Sequence, residues 1–222
     1  MIARLVTPLA CILIATGAQA ATPREILTDI AFTPRDKAAT LARIELAASA
    51  ARTTLAHQPQ DREARMSLAM ATSYRAKLTR NRGDALVARG QFEALASSAP
   101  NDAEAQAALG SWHVSSIIGL GAFMARAAIG ARKADGIAAL DRSVRLGGDR
   151  AMFPALDGLM RLALDPGDVT GLQLVRRAAQ GSTPTPLDQA MRRKAAEVLA
   201  SGASGNRLQT LARGAVPLGW VN

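Results

Sequence analysis

The apolar residues of this chain recur at intervals of three and four, which places them on one face of an α-helix. After the first twenty residues, no run of strand length alternates β-branched and polar residues. The helical intervals join Leu41, Ile44, Ala48, Ala51 and Leu55, then Met66, Met70, Tyr74 and Leu78, and later Leu187, Met191, Ala195 and Leu199. Since Ala, Leu and Arg also favour helix, the sequence predicts an all-α fold of about nine helices, the longest over residues 102–133.

Capping residues mark where these helices are expected to begin. Thr22, Thr33 and Thr185 each precede a Pro and have an acidic residue three positions later. A Thr N-cap with Pro at the first helical position is a common helix start. Further N-cap candidates are Asp61, Asp102, Asp149 and Asp168.

Three polar segments divide the helical pattern in the same way. They cover residues 57–64, 98–105 and 146–151, and each follows one apolar-periodic segment and precedes another. Polar segments that recur between helices in this way are typical of stacked helical hairpins, in which each hairpin covers the apolar face of its neighbour. No long Pro, Gly or Ser-rich linker interrupts the pattern, so residues 21–222 are predicted to form one helical domain.

Residues 1–20 have the features of a secretory signal peptide. Arg4 precedes an apolar run over residues 5–14, and Ala18, Gln19 and Ala20 form a small-x-small cleavage site before Ala21. The apolar run is shorter than the ~20 residues of a membrane-spanning helix. The sequence therefore predicts cleavage after Ala20 and a periplasmic protein.

Cysteine content and charge exclude several kinds of functional site from the exported chain. Cys11, the only cysteine, lies in the leader, so the mature chain has no disulfide, Cys nucleophile or thiolate metal site. Without Arg4 it keeps 26 basic and 18 acidic residues, a formal charge of +8. Aromatic residues make up only 3% of the chain and do not alternate with Arg. Because nucleic-acid surfaces use such aromatics for base stacking, no nucleic-acid partner is expected.

Residues 103–148 contain Leu109 and Gly110, followed by His113. This segment resembles a tetratricopeptide repeat, which has Leu-Gly and then Tyr at these positions. Further matches are Leu140, Ser143 and Val144 in the second helix and, in the preceding repeat, Leu68, Ala69, Ala88, Phe92 and Pro100. The family uses the Gly110 position for close helix packing, so we expect a tight contact there.

The spacing of the repeats is longer than in the simple family. Pro59 and Pro100 are 41 residues apart, and Pro100 and Gly148 are 48 apart, against ~34 in the simple repeat. Stretched arrays of this kind occur in regulator-of-microtubule-dynamics-like proteins and in bacterial relatives associated with solute transport, which are similar around residues 109–112. The resemblance covers about residues 40–165. It implies a TPR-like right-handed solenoid without catalytic residues.

In tetratricopeptide arrays the first helix of each hairpin lines a concave groove. The corresponding positions here are Glu63, Met66, Met70 and Ser73 in one repeat and Glu104, Ala107, Ser111 and Val114 in the next. Their mixture of small, apolar and acidic side chains suits an extended peptide or a helix. The alternative is that Met66 and Met70 fill gaps in the core.

Residues 112–126 are nearly uncharged and contain Gly119 and Gly121 in a helical context, where each Gly costs roughly 1 kcal/mol relative to Ala. One interpretation is a buried central helix that lets another backbone approach. The other is a surface that meets membrane or a lipid-like ligand, with Trp112 as a binding residue and Arg126, Arg132 and Lys133 at its basic end.

No residues form a catalytic, cofactor-binding or metal-ligating signature. His57 and His113 fall in different hairpins and lack a helix-spaced acidic partner, so a zinc site is not expected; His113 is expected to pack or hydrogen-bond in the core. Without convergent reactive groups, the chain is not expected to be an enzyme. The first expectation is a scaffold for protein–protein interaction in the cell envelope, and the second is a carrier of a small apolar ligand or lipid.

Overall fold

The computed structural model describes residues 21–221, so the predicted signal peptide, residues 1–20 with Cys11, lies outside the described residues. The helices are α1 Pro23–Phe32, α2 Lys37–His57, α3 Arg62–Thr79, α4 Arg82–Ser98, α5 Ala103–Leu120, α6 Ala122–Ile129, α7 Lys133–Leu146, α8 Met152–Leu164, α9 Val169–Ala178, α10 Pro186–Ala200 and α11 Gly205–Ala215, with a 3₁₀ turn over Gly219–Val221. The all-α prediction is confirmed. Over residues 21–221 there are eleven α-helices, where about nine were predicted.

Five of the seven predicted helix starts are confirmed. Thr22 and Thr185 form capping boxes with the acidic residue three positions later. The side chains of Asp61, Asp102 and Asp168 accept hydrogen bonds from backbone N–H groups in the first turns of α3, α5 and α9. Each cap involves residues two or three apart, which is why sequence spacing alone locates it.

The starts predicted at Thr33 and Asp149 are wrong. Thr33 is the C-cap of α1, and Asp36 caps α2 by accepting from the Ala39 N–H at 2.9 Å. The Thr33 hydroxyl donates to the Asp29 carboxylate of α1 at 2.9 Å, so its side chain is directed to the preceding helix. Asp149 bonds instead to a distant segment, because its carbonyl oxygen accepts from the Ser182 N–H at 2.9 Å.

The long helix predicted over residues 102–133 is interrupted twice. α5 ends at Gly121, whose φ of +77° is unfavourable for residues with a side chain, and α6 ends at Gly130 with φ +72°. The axes of α5 and α6 differ in direction by 119°. A single long helix here is therefore wrong, and the 21-residue α2 is the longest helix described.

Helices α5 and α7 pack closely against each other. A Cβ atom on Gly110 would lie 2.7 Å from the Leu140 Cγ and 2.8 Å from the Gly136 carbonyl oxygen. The predicted tight contact at Gly110 is thus confirmed. His113, one turn further along α5, is also buried as predicted, and its Nδ1 accepts a hydrogen bond from the Arg132 N–H at 3.2 Å.

The C-terminal helices pack on the rest of the array through α8. Eleven of its thirteen residues are buried, because α8 is contacted by α5, α7, α9, α10 and α11. The chain then returns to its first helix. The Leu218 N–H donates to the Ala31 carbonyl at 2.9 Å, and the Trp220 indole donates to the Ile30 carbonyl at 3.3 Å. Residues 216–221, the C-terminal segment, thereby lie against α1.

Candidate functional site

A cavity of about 870 Å³ lies between the two halves of the chain. Residues from α1, α3, α4, α5 and α6 line one part of it, and residues from α8, α10, α11 and the C-terminal segment line the rest. Its volume is within the range of small-molecule binding sites. The C-terminal segment, which returns to α1, forms part of its wall.

The cavity walls are mainly apolar and rich in methionine. Five of the seven methionines of the chain line it, together with aliphatic and aromatic side chains. These residues are Met66, Met70, Met152, Met160, Met191, Phe92, Trp112, Ile118, Leu156 and Leu187. Methionine side chains are flexible and polarizable, so a Met-rich wall can adapt to ligands of different shape.

Most of the residues predicted to bind a partner line this cavity. They are Met66, Met70, Ser73, Glu104, Ser111 and Trp112. Met66 is also almost fully buried and packs in the core with Phe92, whereas Met70 is partly exposed. The structure therefore brings together residues of α3 and α5 that are about forty positions apart in the chain.

Two positions that the resemblance assigns to the groove lie elsewhere. Ala107 and Val114 are buried in the core with Leu140 of α7, and the cavity is lined instead by the α5 face that contains Ala108 and Ser115. The close approach of α7 at Gly110 covers the predicted face. Placing these two residues in a groove is therefore wrong.

The acidic residues predicted for the groove are paired with arginines of the same chain. Arg24 of α1 lies 2.7 Å from Glu63 and 3.5 Å from Glu104. Arg62 and Arg150 each lie 3.2 Å from Glu104. Burial raises the pKa of Glu63, but the bonds and charges of Arg24 and Arg62 outweigh it, so the net shift is downward. Glu63 itself is not part of the cavity lining.

Four further cations line the cavity. Lys77 donates to the Leu218 carbonyl at 2.8 Å, Arg82 to the Ala128 carbonyl at 2.7 Å, and Arg213 to the Ala163 carbonyl at 3.1 Å; the fourth cation is Arg80. Within residues 21–221, none of the four lies within 4.0 Å of a carboxylate oxygen. Burial lowers the pKa of Lys77 to about 8. Sequence reasoning missed these cations, because basic residues occur throughout the chain and no local pattern marks those that line the cavity.

The turn between α5 and α6 lies at the rim of the cavity. Gly119 and Leu120 line the cavity, and every residue from 119 to 124 is exposed. Phe123 is 81% exposed and Met124 is 54% exposed. By contrast, Trp112 is only 4% exposed. The uncharged stretch over residues 112–126 thus has a buried first part and an exposed apolar second part.

No single helix among the described residues is long and apolar enough to cross a membrane. The lengths and hydropathies of α5 and α6 meet that criterion only when the two helices are taken together across their 119° bend.

A buried carboxylate outside the cavity has an unusual environment. Asp157 of α8 is fully buried, and its Oδ1 accepts from Arg161 at 2.8 Å, while Arg161 also bonds to Asp141 at 2.7 Å. The second oxygen, Oδ2, has no hydrogen-bond partner among the described residues. Burial, with a smaller contribution from the Asp141 carboxylate, raises the pKa of Asp157 to about 7 against the effect of Arg161.

Together these features define an all-α protein with a Met-rich internal cavity, several cations in its wall and an exposed apolar turn at its rim. Comparisons with models of known protein families, with curated proteins and with solved structures return no match to this chain.

Proposed function

We propose that this protein binds a small molecule with an apolar body in the cavity and carries it in the cell envelope. The observation that carries the proposal is the 870 Å³ cavity and its Met-rich lining. Removing apolar ligand surface from water into such a cavity is favourable, and the volume is adequate for a small molecule. The predicted signal peptide supports an envelope location.

The hairpin arrangement also supports a second candidate, a protein-binding scaffold. We infer a TPR-like right-handed solenoid in which several predicted groove residues of α3 and α5 face a common space, namely Met66, Met70, Ser73, Glu104 and Ser111. Two contacts favour the small ligand over a peptide. Leu218 bonds to Lys77 and to Ala31, so the C-terminal segment occupies one side of that space. Glu63 and Glu104 are already paired with Arg24.

We further propose that the carrier docks on an anionic membrane through residues 119–124. Leu120, Phe123 and Met124 are exposed apolar side chains, and Leu120 is part of the cavity lining. Arg82 bonds to the last turn of α6, and the exposed Arg126 lies within that helix. Apolar side chains next to cations are typical of surfaces that bind anionic lipid. A ligand could then enter the cavity directly from the membrane.

Filling the cavity tests the proposed binding function. Ala108 lines the cavity and Ala42 is exposed on α2, so Ala108→Phe and Ala42→Phe add the same side chain inside and outside it. We expect the purified protein to bind the neutral fluorescent probe N-phenyl-1-naphthylamine and Ala108→Phe to weaken this binding. Ala42→Phe should bind the probe normally.

Circular dichroism melts of both variants show whether weaker probe binding comes from a filled cavity or from an unfolded protein. Probe binding that is absent from the parent protein, or that is unchanged in a folded Ala108→Phe variant, would contradict the proposed function. Extraction of the purified protein with organic solvent, followed by mass spectrometry, would then identify any molecule bound during expression.

A further inference from the structure

We infer that the ligand is an anionic amphiphile, with its negative head bound by Lys77 and Arg213 and its apolar chain against the methionines. This inference depends on the proposed function, because it names the chemical class of ligand for the same cavity. It follows from the imbalance of charge in the cavity wall.

The cavity lining contains five cations and one carboxylate. The carboxylate is Glu104, and it is already bonded by Arg24, Arg62 and Arg150. Arg24 is also bonded to Glu63 outside the lining. The other four cations, Lys77, Arg80, Arg82 and Arg213, have no carboxylate partner among the described residues. Lys77 and Arg213 are half-buried, whereas Arg80 and Arg82 are exposed. Because burying an unpaired charge is unfavourable, an anion beside Lys77 and Arg213 would offset that cost.

Lys77 and Arg213 approach the same segment of backbone. The Lys77 ammonium donates to the Leu218 carbonyl at 2.8 Å. The backbone carbonyl of Arg213 lies close beside Gly219, where it would contact a Cβ atom. The two residues therefore flank residues 217–219 from α3 and from α11, and both are part of the cavity lining.

Both side chains keep hydrogen-bond donors for a ligand. The Lys77 ammonium has three N–H donors, and one is used by Leu218. The Arg213 guanidinium uses its Nε on the Ala163 carbonyl, and no described residue accepts from its two Nη atoms. Burial also lowers the pKa of Lys77, so a bound anion would stabilise its charged form.

The rest of the lining determines what is attached to the anionic head. Met66, Met70, Met160 and Met191, with Leu156, form an apolar wall. A small polar anion would leave this wall in contact with water, whereas an alkyl chain would cover it. The two parts of the lining together fit a carboxylate or phosphate head on an alkyl chain.

Matched ligands test the charge preference without any variant. Hexadecanoate and 1-hexadecanol have the same chain length and differ in the charged head, and hexadecyl phosphate provides the other anionic head. Each is titrated against bound N-phenyl-1-naphthylamine. Because hydrogen bonds to a charged head are stronger than those to a hydroxyl group, we expect hexadecanoate to displace the probe at concentrations about tenfold lower than hexadecanol.

Variants of the two cations test which residues bind the negative head of the ligand. Lys77→Met should weaken hexadecanoate about tenfold and leave hexadecanol unchanged, whereas Lys133→Met removes the same charge from an exposed position outside the cavity and should change neither. Arg213→Gln provides an independent second variant. Melts by circular dichroism verify that each variant is folded.

The outcomes separate the inference from the proposed function. A parent protein that binds neither the probe nor hexadecanol would contradict the proposed function. Equal displacement by hexadecanoate and hexadecanol from a protein that binds both would overturn the anionic ligand alone. A clear preference for hexadecanoate that survives in folded Lys77→Met and Arg213→Gln would overturn the assignment of the head to these two residues.

Discussion

Gly110 of α5 lies so close to Gly136 of α7 that a Cβ atom on Gly110 would be 2.8 Å from the Gly136 carbonyl oxygen. Backbone on one side and the Leu140 Cγ on the other leave no space into which a new side chain can move. This contact brings α7 against α5 and leaves the opposite face of α5 for the cavity.

Replacing Gly110 by Ala should therefore lower the free energy of unfolding by about 1–3 kcal/mol through overpacking. Gly90 of α4 is the matched control, because a Cβ atom added there would meet no neighbouring group within 4 Å. Gly90→Ala should raise stability by about 0.5–1 kcal/mol, the helix-propensity gain. Urea unfolding measures both, and equal effects at the two sites would contradict the tight contact.

Asp188 joins α10 to α8 and should be one of the most sensitive residues. It is fully buried, its Oδ1 accepts from the Met152 N–H at 3.2 Å, and its Oδ2 accepts from Thr185 at 2.6 Å and Arg150 at 3.1 Å. Asp188→Ala should cost about 3–5 kcal/mol, because it leaves buried donors and a cation without their partner. Asp61→Ala removes an ordinary N-cap and should cost about 1 kcal/mol. Chemical unfolding measures both variants, and a similar loss of stability in Asp188→Ala and Asp61→Ala would contradict the special role of Asp188.

Asp157 should make stability depend on pH. Its pKa in the folded protein, about 7, is above the ~3.9 of an unfolded Asp, so the folded state holds the proton more tightly. The stability that this bound proton contributes is fully present below about pH 4 and is lost as the pH rises to about 7. Asp157→Asn mimics the protonated group and should become the more stable protein at pH 8.

Thermal melts from pH 4 to pH 8 measure this difference. The relevant quantity is the difference in stability between Asp157→Asn and the parent at each pH. Carboxylates with a lowered pKa, such as Glu63 and Asp102, make the stability of both proteins rise with pH. Their effect cancels in the difference. Asp135→Asn, at an exposed position, serves as the control. A difference between Asp157→Asn and the parent that is constant with pH would show that Asp157 is ionised throughout.

The exposed turn at the cavity rim should determine membrane binding. Phe123→Ser combined with Met124→Ser should reduce co-sedimentation with vesicles of phosphatidylglycerol and phosphatidylcholine, with little change in stability because both side chains are exposed. Leu46→Ser combined with Val169→Ser removes similarly exposed apolar side chains elsewhere. Equal binding by the two double variants would exclude the turn as the membrane contact, and binding unaffected by removal of phosphatidylglycerol would exclude the role of charge.

Export should produce a mature chain that begins at Ala21. Intact-mass measurement of protein from the envelope fraction should show loss of residues 1–20, because the small side chains of Ala18 and Ala20 fit a signal-peptide cleavage site. Ala20→Glu should block processing and leave a longer chain. Detection of the parent protein with Met1 retained would contradict the predicted export.

Local signals were sufficient to predict the helices and five of their starts. The all-α fold follows from apolar spacing, and the caps at Thr22 and Thr185 depend on residues three apart. The contact at Gly110 was predicted from the family resemblance and is confirmed. Six predicted site residues also share one cavity, because helical periodicity places them on the inner faces of α3 and α5.

Tertiary structure decided what depends on residues far apart in the chain. The hydrogen bond from Leu218, a residue of the cavity wall, to Ala31 joins positions 187 apart, and no local pattern encodes such a pairing. The pairing of Arg24 with Glu63, and the absence of a carboxylate near Lys77 within the described residues, depend likewise on how the helices pack. Sequence therefore determined the helices and their inner faces, whereas long-range packing determined the cavity and the charges left without a carboxylate partner in its described lining.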